Sequence, residues 1–241
     1  MDPEFFSFFV TFHMSSWFGD LIRLFFPAVC AGCGASLVTG EEILCTRCLF
    51  LLPRSNYHLS TDNPVSRLFW GRVPVEHATA LYLFEKGSIF QSLIHQLKYR
   101  GRKDIGLYLG KLLGSEIRDT PGFSSAERII PVPLHPSRER VRGYNQGEYI
   151  ARGMAEVMQA EAEFGNLVRK GKTATQTRRS RIERWENVRG MFAVKKPHRL
   201  ENRHVLLVDD VVTTGATLEA CAEMLLEIPG VRVSIATLAV A

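Results

Sequence analysis

The sequence predicts an α/β domain built on a parallel twisted sheet with flanking helices, preceded by a small four-cysteine module. Three observations predict this. Residues 205–208, Val-Leu-Leu-Val, are apolar without alternation, as in a strand covered on both faces. Strand-like runs alternate with segments of helical period along the rest of the chain. Four of the five cysteines fall in two C-x-x-C pairs near the N-terminus.

The strand at 205–208 runs into Asp209 and Asp210, then Thr213, Thr214, Gly215, Ala216 and Thr217, then a helical run over 218–228. In an open parallel sheet, ligands bind beyond the carboxyl ends of the strands. A helix N-terminus there offers free N–H groups and partial positive charge to a phosphate. Threonine hydroxyls add donors, and Gly215 lets the backbone approach an anion. The acid pair suits sugar hydroxyls, or a divalent metal bridging sugar and phosphate. The stretch therefore reads as a sugar-phosphate site.

Upstream, the expected elements are a strand at 75–84, a helix at 88–99 with Ile89, Phe90, Leu93, Ile94 and Leu97 on one face, and a second helix at about 104–118. The first helix ends in the basic turn Lys98-Tyr99-Arg100-Gly101-Arg102-Lys103. Lys98 and Arg100 there serve either as a solvated helix end favoured by the macrodipole or as contacts to pyrophosphate or an acceptor. A strand at 128–133 leads into a loop carrying Arg138, Arg140 and Arg142 before Gly143, and a helix follows from about 144 to 160. Arginine forks match phosphate oxygens in pairs, so this is a second anion loop at a second strand end. Residues 166–189 carry eight basic and two acidic side chains, a net charge of +6, and leave the rest of the chain near neutral. A long basic loop inside a compact domain is usually functional or disordered. Strands are expected at 191–194 and 231–240, and His135 and His204 are read as structural.

Cys30 and Cys33 are separated by eleven residues from Cys45 and Cys48. Each C-x-x-C turn places two thiolates on one knuckle, and zinc takes four such ligands in a tetrahedron. With four thiolates no position stays open, so the role is structural, and the metal would supply folding energy to a segment too small for its own core. An iron–sulfur cluster is the alternative. Cys221 reads as a small buried hydrophobe.

The 241 residues, 46% apolar, allow one sizeable domain plus a small module, and the formal charge of +5 suits anionic partners, phosphate or nucleic acid. Cysteines used this way imply a reducing compartment, and no run of about 18 apolar residues predicts a membrane span. A cytoplasmic location is expected, with the inner face of the membrane as a variant, because residues 16–26 form an amphipathic helix that packs on the metal module or docks on a membrane or partner. Residues 1–13 read as a vector-derived tag, and no signal peptide is read at 5–12. The expected division is tag 1–13, helix and zinc-finger module 14–52, linker 53–66 (Pro53, Pro64, Ser, Asn), and main domain 67–241.

The stretch 205–217 resembles the phosphoribosyl-pyrophosphate (PRPP) motif of type I phosphoribosyltransferases. Together with Pro131-Val132-Pro133, Arg142-Gly143-Tyr144-Asn145-Gln146, Lys98-Tyr99-Arg100-Gly101 and the cysteine knuckles, the chain over residues 17–241 resembles the ComF family, competence-associated proteins with a phosphoribosyltransferase-like domain and an N-terminal zinc finger. The resemblance implies a type I phosphoribosyltransferase-like fold. It implies catalytic roles for Asp209, Asp210 and Arg184. Thr213, Thr214, Gly215, Ala216 and Thr217 would hold the 5′-phosphate, and Arg138, Arg142, Gly143 and Lys98 the pyrophosphate. Arg169, Thr175, Gln176, Arg184 and Asn187 would form a flexible hood over the donor. The implied cofactors are structural Zn²⁺ and Mg²⁺ with PRPP. The implied partners are PRPP, single-stranded DNA, and a competence helicase (ComFA) or another DNA-processing protein, in natural transformation. Two further readings stay open. One is a non-catalytic PRPP- or nucleotide-sensing protein that binds single-stranded DNA, motivated by the basic segment, the knuckles, and Tyr99, Tyr144 and Trp185 among cations. The other is a salvage enzyme for a nucleobase.

Overall fold

The computed structural model describes residues 28–170 and 191–241, so the expected helix at 16–26 lies outside the described residues. The chain divides into two compact units after Leu51. In the first, Val29 and Ser36 form an antiparallel bridge around the first cysteine pair, and helix α1 (Thr46–Leu51) carries Cys48 into the module's interior. Gly34 turns the chain with a φ of 77°, which favours glycine.

The second unit holds, in order, α2 (Pro64–Arg67), β1 (Ala78–Leu83), α3 (Ile89–Tyr99), α4 (Lys103–Ile117), β2 (Arg128–Pro131), α5 (Pro136–Arg142), α6 (Gln146–Met158), β3 (Glu161–Ala162), β4 (Leu167–Arg169), β5 (Phe192–Val194), β6 (His204–Val212), α7 (Ala216–Leu226) and β7 (Arg232–Val240). Five strands make one sheet in the order β1-β7-β6-β2-β3, every neighbouring pair parallel. β4 and β5 form a separate antiparallel ribbon. The expected α/β architecture is therefore present. β6 lies at the centre, and Val205, Leu206, Leu207 and Val208 are fully buried. Pro131 at the end of β2 pairs with Val208, and the N–H of Val132 donates to the Val208 carbonyl at 2.8 Å. The acid pair thus sits just beyond that register, past the end of β2 but still within β6, which stays paired with β7 to Val212 rather than ending at the acids.

Three expectations change. The segment 53–66 is no linker. Arg54 bridges to Tyr82, and buried Asn63 caps α2 by accepting from the N–H groups of Val65 and Ser66. The Asn63 amide also donates to the carbonyls of Tyr57, Ser60 and Ala78. Pro64 at the first helical position needs no N–H partner, so the residues that read as breakers build a capped turn. The arginine loop is partly helical: Pro136 opens α5 and the His135 imidazole accepts from the Ser137 N–H. The segment at 166–189 begins as strand β4 rather than as a loop.

α4 packs on α6 through glycines. A Cβ on Gly110 would fall on the carbonyl oxygen of Ile150, and one on Gly153 on that of Leu107. Helix propensity alone predicts that Gly110→Ala stabilises α4 by about 1 kcal/mol. The overlap with backbone predicts the opposite sign, a net loss of about 1–3 kcal/mol, read as a lower urea midpoint for the variant.

Candidate functional site

The two acids in the carboxyl-terminal half of β6 have different surroundings. Asp210 is buried and fully paired: Lys98 Nζ donates to Oδ1 at 2.8 Å and Gln146 Nε2 donates to Oδ2 at 2.7 Å. Arg142 Nη1 donates to Gln146 Oε1 at 2.9 Å, so α3, β6, α5 and α6 meet in one chain of polar contacts. Asp209 is half-buried. Its Oδ1 accepts the Asp210 N–H at 2.8 Å, and Oδ2 has no hydrogen-bond partner among the described residues. Burial, and then the neighbouring Asp210 charge, push the Asp209 carboxyl up to about 7, against the lowering effect of the Asp210 N–H, Lys98 and Arg142. This is an oxygen donor poised to take a cation or a sugar hydroxyl.

These acids form part of a cleft of about 510 Å³. Thr213 lines it from the β6–α7 loop and Thr217 from the first turn of α7, with Arg138 and Arg142 from α5 and Arg169 at the end of β4. Burial lowers the Arg169 pKa, and the nearby Arg138 charge acts in the same direction. Arg169 stacks on Phe192, its guanidinium 5.4 Å from the ring centroid. Thr214 and Ala216 are exposed and do not line the cleft, and Gly143 ends α5 with a φ of 77° outside it. Lys98 lines the cleft with its charge engaged by Asp210. Thr175, Gln176, Arg184 and Asn187 lie outside the described residues. Both histidines read as structural make local hydrogen bonds: His135 as the α5 cap, and His204 buried between Ser125 (2.8 Å) and Ser234 (3.0 Å).

The Thr loop rests on a platform that sequence reasoning missed. Gly215 has a φ of 74°, and a Cβ there would stand 3.0 Å from the Phe69 ring. Arg72 Nη1 donates to the carbonyls of Thr214 (3.1 Å) and Leu68 (2.9 Å), while Nη2 pairs with Glu219 in the first turn of α7. Glu219 is buried and its Oε1 has no hydrogen-bond partner among the described residues. Arg72 is therefore a positioning residue for the loop. Gln146 was missed in the same way, although it closes the Arg-Gly-Tyr-Asn-Gln run.

The Sγ atoms of Cys30, Cys33, Cys45 and Cys48 lie within 4.8 Å of one another. Cys33 and Cys45 are 3.7 Å apart, close to the ~3.8 Å edge of a tetrahedron with metal–sulfur bonds of about 2.3 Å. Burial opposes ionisation of Cys30, yet N–H groups led by that of Cys45 hold its thiol down to about 6. Burial, and then the other thiols, push Cys48 up. A metal ion would ionise all four and relieve that conflict. The donor set fits a metal, and among the described residues no helix is long and apolar enough to cross a membrane.

Residues 145–240 match the phosphoribosyl transferase domain model. The chain is 31% identical over 201 residues to the DNA utilization protein YhgH of Shigella flexneri, covering 82% of this chain and 84% of the relative. It is 35% identical over 139 residues to competence protein F of Haemophilus influenzae, covering 55% of this chain and 60% of that protein. Among solved structures, the allosteric regulatory enzyme of purine biosynthesis superposes with a TM-score of 0.41 at 23% identity, over 58% of this chain and 29% of that one.

Removing the Arg72 guanidinium leaves Glu219 buried without a counter-ion. Arg72→Ala should lower stability by about 1–3 kcal/mol in thermal unfolding, and adding Glu219→Gln should recover part of the loss. An undisturbed melting temperature in Arg72→Ala would show that the clamp carries no energy. Elemental analysis of the purified chain should give one bound metal ion per chain, lost in Cys48→Ser.

Proposed function

The chain belongs to the ComF family of competence and DNA-utilization proteins, and from that membership we propose that its cleft binds PRPP with Mg²⁺ and transfers the phosphoribosyl group. Convergence carries the reading: one cleft gathers Lys98, Arg138 and Arg142, Arg169, and the stretch Asp209, Asp210, Thr213 and Thr217, from four segments of the chain. In this reading Thr213, Thr217 and the N-terminal amides of α7 hold the 5′-phosphate. Asp209 accepts from the ribose hydroxyls or binds the cation through Oδ2, and Asp210, fixed by Lys98 and Gln146, holds its neighbour in place. Arg138, Arg142 and Arg169 neutralise the departing pyrophosphate. Mg²⁺, when bound, would offset the same leaving-group charge. As positive charge develops on the ribose ring, the carboxylates beside it stabilise that charge. The four-cysteine cluster holds Zn²⁺ in a structural role.

Membership also supports a task in DNA uptake, with single-stranded DNA and the competence helicase as partners. Charge favours a strand-binding role: residues 166–189 carry a net +6. Of the aromatics considered for stacking, Tyr144 is buried and donates to the Leu97 carbonyl, so it is not available to a base. Tyr99 is exposed, and Trp185 lies outside the described residues. A protein that binds PRPP and DNA without turnover is the second reading.

Titration calorimetry with Mg²⁺ and PRPP tests the donor site. Binding should be lost in the Asp209→Asn, Asp210→Asn double variant while low-salt binding of single-stranded DNA survives, and a wild-type chain that ignores PRPP would refute the proposal. The Asp209 carboxyl gives a pH test. Its folded value, about 7, lies above its ordinary 3.8. The folded ligand-free protein therefore holds a proton that the unfolded chain releases, and stability falls as pH rises from about 4 to about 7. Asp209→Asn should accordingly raise the ligand-free stability at pH 8, by roughly 1–4 kcal/mol. PRPP affinity should rise through pH 7 as the acceptor ionises.

A further inference from the structure

The wall of the cleft formed by α3 has a chemistry that the donor does not use. Gln91, His95 and Tyr99 recur every four residues along α3 and are all exposed, while Phe90, Leu93, Ile94 and Leu97 bury the other side of the helix. All three exposed residues line the cleft that holds the acid pair. The His95 and Tyr99 rings lie 5.0 Å apart at 47°. Tyr99 stays 62% exposed although Arg142 lies over its ring at 5.3 Å. Gln91 Oε1 accepts from the Gly87 N–H at 2.7 Å, and its NH₂ has no partner among the described residues. The wall therefore offers stacking faces and a side-chain amide donor.

The wall does not stop at the cleft. A second cavity of about 400 Å³ shares Gln91 and His95 with the first and continues over Ser88, Ser92 and Arg100. Arg100 differs from the other cations of its turn. Lys98 pairs with Asp210, Arg102 with Asp104, and Lys103 sits over the Tyr144 and Tyr149 rings at 5.0 and 5.4 Å. Arg100 is exposed and has no carboxylate partner among the described residues.

We infer that this face of α3 is the acceptor subsite, and that it takes a nucleotide rather than a free base. The planar nitrogen heterocycle stacks on His95 and Tyr99 with its edge at the Gln91 amide, and the phosphate reaches Arg100 along the second cavity. A free base would fill the stacking wall and leave both the second cavity and its unpaired cation without a role. The word acceptor rests on the donor reading above; the nucleotide site itself stands on the α3 geometry. The nucleotide can be a free monophosphate or one unit of a strand, since both present a base and a phosphate.

Calorimetric titration of the full chain with the four nucleoside monophosphates, a short oligothymidylate and the free bases tests this. At least one nucleotide or the oligomer should bind. Tyr99→Ala and His95→Ala should each weaken that binding roughly 5- to 100-fold, from the usual worth of a base–aromatic stack, while Tyr99→Phe retains it. Arg100→Ala should weaken nucleotides and leave free bases unchanged. Equal affinity for monophosphate and oligomer identifies a free nucleotide, and binding of the oligomer alone identifies a strand. The inference is overturned if neither binds, or if both alanine variants bind undiminished. Mg²⁺ and PRPP titrated into the same preparation separate the two readings. PRPP binding without nucleotide binding removes this subsite alone, and nucleotide binding without PRPP binding removes the donor reading and leaves a nucleotide site on α3. All the substituted side chains are exposed, and thermal unfolding of each variant checks its fold.

Discussion

The carboxylate of Asp210, buried in the carboxyl-terminal half of the central strand, is the constraint around which this site is built. A buried charge is stable only when paired and fully hydrogen-bonded. Lys98 and Gln146 meet that demand, one on each oxygen, and they come from two separate helices, 112 and 64 residues earlier in the sequence. To deliver them, α3 and α6 must end and begin beside β6, and Arg142 is held to the same group through Gln146. The arginine on the proposed leaving-group side is thereby positioned by an acid on the sugar side. Asp209 gets the opposite treatment. With its neighbour paired and its own Oδ2 without a hydrogen-bond partner among the described residues, it holds a raised pKa that the folded protein sustains at a cost in stability, as expected of a group arranged for a ligand rather than for the fold.

The Thr loop is held by a second device, from beneath. A loop that binds phosphate through its backbone needs its amides fixed before the anion arrives. Gly215 closes onto Phe69, and Arg72 bonds the Thr214 carbonyl while pairing with Glu219 in the first turn of α7. An acid in that turn favours the helix but opposes an incoming phosphate, and pairing with Arg72 offsets its charge. The platform is the folded segment between α2 and Val73, anchored by buried Val65 and Phe69.

How much of this is legible in the sequence depends on the range of the interaction. β6, its acid pair, the Thr loop and α7 are contiguous, so apolar run, charge and small residues announce them together. The four cysteines carry their geometry in their spacing. Misreadings arise where a residue type has two uses. Pro64 and Asn63 signal a break in one context and a capped first turn in another. The arginines of α5 look like an anion loop, and their helix shows only in Pro136 and the His135 cap. Arg72 is invisible because its partners at Thr214 and Glu219 are 142 and 147 residues away. Lys98 is a candidate for anion binding on its charge and on its place in the Lys98-Tyr99-Arg100-Gly101 run. Its engagement by Asp210 is a contact over 112 residues that no local pattern encodes.

Lys98 also joins the two halves of the cleft. It lies in the last turn of α3, next to Tyr99 and Arg100 and one turn beyond Ile94 and His95, so the helix that presents the stacking wall is tied at its end to the buried acid. The proposed 5′-phosphate and ribose side is made of backbone and short side chains beside the central strand, a rigid arrangement suited to a ligand of fixed shape. The α3 side is made of exposed long and aromatic side chains, which adapt to the ligand they meet. Any displacement of α3 on filling its wall would act on the Lys98–Asp210 pair, and through it on the charge beside Asp209. Loosening that pair removes a cation that favours the ionised form of Asp209, and a bound divalent cation restores it. On that reading the two proposed sites would be coupled by electrostatics through the Lys98–Asp210 salt bridge.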